Sequence, residues 1–241
     1  MVTSAQPSVL LKRETVAEGT VAFHLLKPAG FEFKPGQAID LILDDPQLGE
    51  DSRVHAFSIV SAPHEDTLTV TTRMRDSAYK RALGRLEPGA GVSIDGPFGS
   101  MILHNRASRA ACFIAGGIGI TPFMSMLRHS FKTESAHQLM LIYSNRRPED
   151  CAFLAELQGY ARQHERFKMV ATMTDMGKSA STWSGETSLV DGAFLTRVSA
   201  ALESPIFYVA GPPGLVVAMR AALGAAGIDD DDIRSEDFFG Y

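Results

Sequence analysis

The 241-residue chain is 45% hydrophobic and 21% charged with a net charge of −5, an ordinary globular composition, long enough for two cores. That charge, with no dense run of Lys and Arg, argues against a general nucleic-acid binder, and no apolar run reaches the length of a bilayer span. The start MVTSAQPSVL lacks the positive cluster and apolar stretch of a secretory leader, and having only Cys112 and Cys151 excludes a cysteine-rich zinc or iron–sulfur site, so a cytoplasmic setting is expected.

Up to Gly96 the apolar residues alternate in short runs: VLLKRE, VAFHLL, AIDLIL, HAFSIV, LTVTTRM and GVSID, separated by turn signals such as KPAG, KPGQ and EPGAG. Runs of period two at this spacing predict a six-stranded antiparallel β-barrel. From Ala110 the pattern changes. ACFIA precedes PFMSMLRHSF, in which Phe123, Met126, Leu127 and Phe131 share one helical face. LMLIYS precedes PEDCAFLAELQGYARQ, FKMVATM follows, and IFYVA precedes PGLVVAMRAALGAAG. Continuous apolar strands alternating with amphipathic helices predict an α/β domain, a parallel sheet with helices on both faces. GPFGSMILHNRASR is the join, which puts the barrel at residues 1–104 and the α/β domain at 105–241. The four aspartates at 229–232 read as a solvated loop, with a calcium site the lesser alternative because adjacent carboxylates lack the spacing of a calcium loop.

Two turns draw notice. In AGGIGITP, Ala115–Pro122, the glycines clear side chains from a ligand's path, Thr121 is expected at a helix N-cap and Pro122 at the first helical position. Free N–H groups and the positive end of a helix dipole then meet at one spot, the natural place for a phosphate. Pro122 stands where a G-x-G-x-x-G fingerprint has its last glycine, so a turn that only packs strand on helix is an equal alternative. AGPPG, Ala210–Gly214, puts a second glycine turn after another parallel strand, and the pair favours a dinucleotide. In the barrel half, HAFSIVSAP sets Phe57 and Ser58 after Arg53 and His55, and Arg73, Arg75, Lys80 and Arg81 surround a helix start expected at Ser77. Basic groups at a helix start hold a diphosphate; the bland reading is a strand and a solvated turn.

With FKPGQ at Phe33–Gln37, AFS at Ala56–Ser58, GPFG at Gly96–Gly99, GGIGITP, AGPPG and the tail EDFFGY in this order, the chain resembles the ferredoxin–NADP reductase superfamily from about Val9 to Tyr241. The resemblance implies FAD on the barrel, a reduced nicotinamide on the α/β domain, and hydride transfer between them at near-attack distance, of order 3–3.5 Å. It implies that Phe57, in the strand Ala56–Ser58, packs against the flavin and that Ser58 hydrogen-bonds near its N5. Ser77, Tyr79 and Lys80 match the segment that meets the diphosphate, and Arg73 the basic residue on the preceding strand. Gly117, Gly119 and Thr121, with Gly211 and Pro212, match the lining of the nicotinamide cleft. Glu236 and Phe238 match the closing element beside the flavin, Glu236 joining Ser58 as the implied catalytic pair, and Tyr241 would cover the ring until nicotinamide displaces it.

Two positions depart from the family pattern. The arginine two residues before the aromatic is His55 here, largely neutral near pH 7 and without a guanidinium fork. Arg53 substitutes for it only if the strand is regular enough to turn both side chains to one face. Ala210 stands where many relatives have a cysteine, from which a changed rate and not a lost activity is expected. By analogy Arg146 would meet the extra phosphate of NADPH, but Asp175 and Glu186 replace basic residues and suit a ribose diol, with Lys178 the remaining cation; NADH is favoured over NADPH. The expected acceptor is a separate protein, a ferredoxin or an oxygenase component. The alternatives are a free-standing reductase of a ferric chelate, free flavin or quinone, and a non-catalytic nucleotide-binding regulatory subunit. The scattered histidines show no paired spacing, so no metal is expected.

Overall fold

The computed structural model describes residues 5–239. The chain divides into two compact units, one of Met1–Ile102 with Thr121–Ser130, the other of Leu103–Ile120 with Phe131–Tyr241.

The first unit holds β1 (Gln6–Ala17), β2 (Thr20–Leu26), β3 (Ala38–Ile42), β4 (Val54–Ser58), β5 (Thr67–Arg73), helix α1 (Ala78–Arg85) and β6 (Gly91–Phe98). The strands pair antiparallel in the order β4-β3-β6-β1-β2-β5. An antiparallel bridge from Ile59 to Val70, with the Val60 N–H donating to the Thr69 carbonyl at 2.8 Å, joins the two outermost strands and closes the barrel. The alternation read in the sequence turns Phe23, Leu25, Ile39, Leu41, Leu68, Val70 and Ile94 inward, each essentially solvent-free. Each such burial stabilises by roughly 1.5–3 kcal/mol. The FKPGQ marker has a packing cause: Gly36 has φ +95°, and a methyl there would overlap the Met101 carbonyl and the Met126 side chain. In the same unit the Ser125 hydroxyl donates to the Ser61 carbonyl at 2.7 Å.

The second unit is built on β7 (Ala111–Gly116), β8 (Leu139–Asn145), β9 (Phe167–Met173), β10 (Ile206–Gly211) and β11 (Ile233–Asp237), all parallel in the order β11-β10-β7-β8-β9. In sequence, helix α2 (Thr121–Lys132), whose residues Thr121–Ser130 belong to the first unit, follows β7, and helices α3 (Leu154–Gln163), α4 (Gly192–Ser199) and α5 (Pro213–Ala225) lie between the later strands. β7 and β10 are buried at every position, as interior strands of a two-faced sheet must be. One face packs Cys112, Ile114, Phe207 and Val209 against Phe194, Leu195, Val216 and Met219. The other brings Phe113 within 5.3 Å of Tyr208, ring centre to ring centre. Both cysteines are buried and free, and burial pushes the Cys112 thiol up to about 12, so they behave as small apolar residues.

Several elements differ from expectation. Helix α3 starts at Leu154 rather than at Pro148, because Pro148–Asp150 forms a separate 3₁₀ turn and Phe153, at φ 60°, turns the chain before the helix begins. Helix α4 and strand β11 are additional to the predicted elements. The aspartate run forms a 3₁₀ turn in which Asp232 meets Arg109 through two hydrogen bonds of 2.8 and 2.7 Å and Asp230 meets Arg220. Among the described residues no helix is long and apolar enough to cross a membrane.

Candidate active site

In the second unit the chain begins the sheet at β7, adds β8 and β9 on one side, then returns to add β10 and β11 on the other. The reversal falls between β7 and β10, and crevices at the carboxyl ends of strands at such a switch point are where open α/β sheets bind ligands. Both glycine turns are there. Ala115 pairs with Ala210, so Gly116 and Gly211 are the next neighbours. Gly211, at φ +154°, would carry a Cβ only 3.0 Å from the Gly116 carbonyl oxygen, and a methyl on Gly119 would overlap the Ala210 carbonyl. These glycines are therefore the joint that lets the two turns touch. Gly117, at φ +54°, has open space where its Cβ would be; it is the glycine that leaves room for a ligand. Thr121 is not an N-cap: a 3₁₀ turn over Gly117–Ile120 runs directly into α2, and Thr121 is 4% exposed inside that continuous run. The helical run starts at Gly117, five residues before the predicted first helical position, Pro122, and so at the glycines themselves.

The tail is tied to the second turn. Glu236 pairs with Ala210 on β10, and the Phe238 N–H donates to the Gly211 carbonyl at 2.9 Å. Partial burial holds the Glu236 carboxyl above the usual carboxylate range. Tyr241 lies outside the described residues. Pro212 immediately precedes α5.

At the carboxyl ends of β8 and β9 the charges are matched in pairs. Arg146 is exposed, and its carbonyl accepts the Asp175 N–H at 2.8 Å. Asp175 is bonded to Lys178 at 2.7 Å and Glu186 to Arg197 at 3.0 Å. Lys178 is thus not a separate cation facing the two carboxylates, since each carboxylate carries its own countercharge. Glu149 gathers the loop that follows β9, accepting the N–H groups of Ala180 and Ser181 at 2.9 and 2.8 Å and the Ser179 hydroxyl at 3.0 Å. Its own backbone N–H first, then these serine groups, hold its carboxyl down to about 2.

In the first unit β4 is paired so that Leu41 faces His55 and Ile39 faces Phe57. His55 and Phe57 therefore share one side of the strand, Phe57 buried and His55 exposed, with ring centres 5.2 Å apart, and Tyr79 from α1 completes the cluster at 5.1 Å from His55 and 6.1 Å from Phe57. Phe57 is 8% exposed and belongs to the barrel core. The Tyr79 hydroxyl donates to the Leu41 carbonyl at 2.8 Å, a structural commitment that pushes its role toward anchoring α1. Ser58 and Ala56 fall on the opposite side, where Asp40 faces Asp95 across β3 and β6. Burial first, then Asp95, raises the Asp40 carboxyl. Arg53 precedes the strand in a helical backbone conformation, φ −83° and ψ −15°, so the regular extension that would align it with His55 is absent. Neither the aromatic cluster nor the Asp40–Asp95 pair was foreseen; the i, i+2 spacing of His55 and Phe57 was the available signal.

Helix α1 starts as expected. Ser77 is its N-cap and accepts the Lys80 N–H at 3.2 Å. The Lys80 ammonium donates to the Arg73 carbonyl at 2.8 Å, and burial, then Arg75, lowers its pKa. First-turn amides with Arg73, Arg75 and Lys80 beside them are the donor chemistry a diphosphate requires, so these residues fit the phosphates of FAD. The glycine joint at the switch point fits those of a nicotinamide dinucleotide.

Comparison with known proteins agrees. Residues 113–221 match the family described as Oxidoreductase NAD-binding domain. Ferredoxin–NADP reductase B of Sorangium cellulosum is 34% identical over 172 residues, 70% of this chain and 68% of that protein. The glycine betaine monooxygenase reductase subunit of Chromohalobacter salexigens is 28% identical over 231 residues, 94% of this chain but 61% of that protein, so the chain spans about six tenths of such a relative. A ferredoxin NADP+ reductase from Neisseria gonorrhoeae, crystallised with FAD and NADP, shares the fold at a TM-score of 0.82 over 98% of this chain and 99% of that one, with 22% identity. The chain belongs to the ferredoxin–NADP reductase family of FAD- and NAD(P)-binding oxidoreductases.

Proposed function

We propose that this protein takes a hydride from NADH onto FAD and delivers electrons to a separate protein acceptor, an oxygenase component or a ferredoxin. Support comes first from the glycine joint at the switch point: Gly116, Gly119 and Gly211 hold two turns in contact and leave Gly117 facing open space, in a chain whose relatives include proteins named as monooxygenase reductase components. Bound FAD supplies the acceptance of a hydride and its release as single electrons. The protein's part is placement. Gly117 and the amides that follow it take the nicotinamide phosphates, and Gly211 and Pro212 set the second wall. The first turn of α1, with Ser77, Lys80 and Arg73, takes the flavin phosphates, and Ser58 hydrogen-bonds the ring. Glu236, whose burial shifts its carboxyl toward the protonated form, brings an acidic group to the tail, and Phe238 anchors that tail through the Gly211 carbonyl.

The preference for NADH rests on Asp175 and Glu186, whose carboxylates accept hydrogen bonds from ribose hydroxyls. Arg146, exposed at the same strand end, is the group that would receive a 2′-phosphate. The test is the visible spectrum of the purified, FAD-loaded protein followed anaerobically as NADH or NADPH is added separately. Rapid bleaching by NADH at a rate well above that with NADPH is expected. A flavin that stays oxidised with both nucleotides would sink the reductase reading.

A further inference from the structure

Strand β9 ends the sheet, and most of its outer edge is bare. Among the described residues only its carboxyl end carries a backbone partner there: Glu186 forms a parallel bridge with Thr172, and the Met173 N–H donates to the Glu186 carbonyl at 3.0 Å. Peptide groups alternate direction along a strand, and β9 pairs with β8 without a shift from Phe167 to Met173. With the Met173 amide turned outward, those of Ala171 and Met169 are turned outward too, and no backbone acceptor meets them among the described residues.

The segment that supplies Glu186 does not continue the pairing. Trp183 lies against Gly185, where a Cβ would stand 2.7 Å from the indole, and its Nε1 donates to the Glu186 carbonyl at 2.9 Å. The chain is folded back at the point where a sixth strand would run. What remains is a cavity of about 750 Å³ lined by Gln158 and Arg162 of α3, by Met169 and Ala171, and by Trp183 and Glu186. At roughly 3.3 Å per residue, an extended segment of about three or four residues suits such a space.

Charge selects the occupant. Arg162 lines the cavity and is exposed, as is Lys168 near the start of β9, against Glu165, whereas Arg166 donates to the Ala136 carbonyl at 2.8 Å. Glu186 is neutralised by Arg197 at 3.0 Å, and Arg162 and Lys168 have no ion-pair partner among the described residues. On a chain of net charge −5 this is a locally basic rim. β7 and β8 separate it from the β10 side of the switch point, and it meets the proposed nucleotide-binding residues only at Glu186, at the carboxyl end of β9.

We propose that the free edge of β9 is a docking site for an extended, acidic peptide segment of a partner protein, which adds to the sheet as a sixth strand beside Trp183. Backbone hydrogen bonds to Met169 and Ala171 supply affinity, and Arg162 and Lys168 supply the choice of charge. The proposal stands on the geometry of one unit and does not depend on the hydride chemistry.

The test uses the whole protein and a fluorescein-labelled, acetylated peptide of alternating Glu and Val, beside a Lys–Val counterpart and a version with a central proline. The acidic peptide is expected to bind saturably and at least about tenfold more tightly than either control, since one set lacks the charge match and the other a strand amide. Amide exchange at Met169 and Ala171 should slow in its presence. Arg162→Glu, at an exposed position of α3, should weaken the acidic peptide about tenfold without changing the melting temperature. Equal binding of both charges, tight binding of the proline peptide, binding without slowed exchange at those two amides, or no saturable binding would each overturn the proposal.

Discussion

Asp175 and Lys178 form an ion pair of 2.7 Å at the carboxyl end of β9, with side chains 36% and 77% exposed. So exposed a pair contributes at most about 1 kcal/mol and opens readily when a ligand competes for the carboxylate. On the proposed reading, the freed Asp175 carboxylate accepts ribose hydroxyls. Asp175→Arg removes the acceptor and adds a phosphate partner next to Arg146. The ratio of kcat/KM for NADH over NADPH is expected to fall at least about tenfold, the equivalent of about 1.4 kcal/mol. Steady-state kinetics with the two nucleotides check this, and an unchanged ratio would remove Asp175 from nucleotide selection.

The two glycines of the first turn should separate stability from binding. Gly119→Ala drives a methyl into the Ala210 carbonyl, and overpacking of this kind costs about 1–3 kcal/mol. Gly117→Ala has room for its methyl but must hold φ +54°, a cost of about 1–2 kcal/mol for a non-glycine residue. Gly119→Ala is expected to lower the melting temperature more, whereas Gly117→Ala should weaken the nucleotide more than its stability loss explains. Thermal melts beside nucleotide titrations of the folded variants distinguish the two.

The barrel strands and the central strands of the parallel sheet were legible because burial imposes a period of two on the former and unbroken apolarity on the latter. β11 lacks both signatures. It is a sheet edge paired only with β10, and in IRSED only Ile233 is buried, so its charges masked it. Helix α4 opens at Gly192 and buries only Phe194 and Leu195, too narrow a stripe to read, although its cap, Asp191 accepting the Phe194 N–H at 2.8 Å, was in plain view. At the candidate site, residue types were readable and their commitments were not. That Tyr79 spends its hydroxyl on Leu41, distant in sequence, and that Gly119 makes room for the Ala210 carbonyl, depends on chain crossings that no local pattern encodes.

Glu149 should make the loop after β9 sensitive to acid. Its carboxyl is held from an ordinary 4.5 down to about 2. A group with a depressed folded pKa adds stability that is complete above its unfolded value and disappears as pH falls through the folded one. Wild type should therefore lose stability relative to Glu149→Gln between about pH 4.5 and 2, and exceed it by a constant margin above that window. Urea midpoints for both proteins across this range test the sign. A gap independent of pH would show that the carboxylate charge is not what holds Ser179–Ser181.

His55 should make flavin binding depend on pH. Burial first, then Lys80, lowers its pKa below the ordinary 6.5, with Asp40 opposing, so the ring is neutral at pH 7 and gains charge only as the solution becomes acidic. On the reading that α1 and its basic neighbours hold the FAD phosphates, proton uptake at His55 adds a cation beside Lys80, and wild-type affinity rises as pH falls from 8 to below the ordinary imidazole range. His55→Arg carries its charge throughout this range and brings a planar fork to the same strand position. Its affinity should be about tenfold higher than wild type at pH 8 and nearly flat with pH, the two proteins converging toward the acidic end. Quenching of FAD fluorescence on titration with each apoprotein measures both curves. Parallel curves for the two proteins would place the phosphates out of reach of β4, leaving α1 to hold them without help from His55.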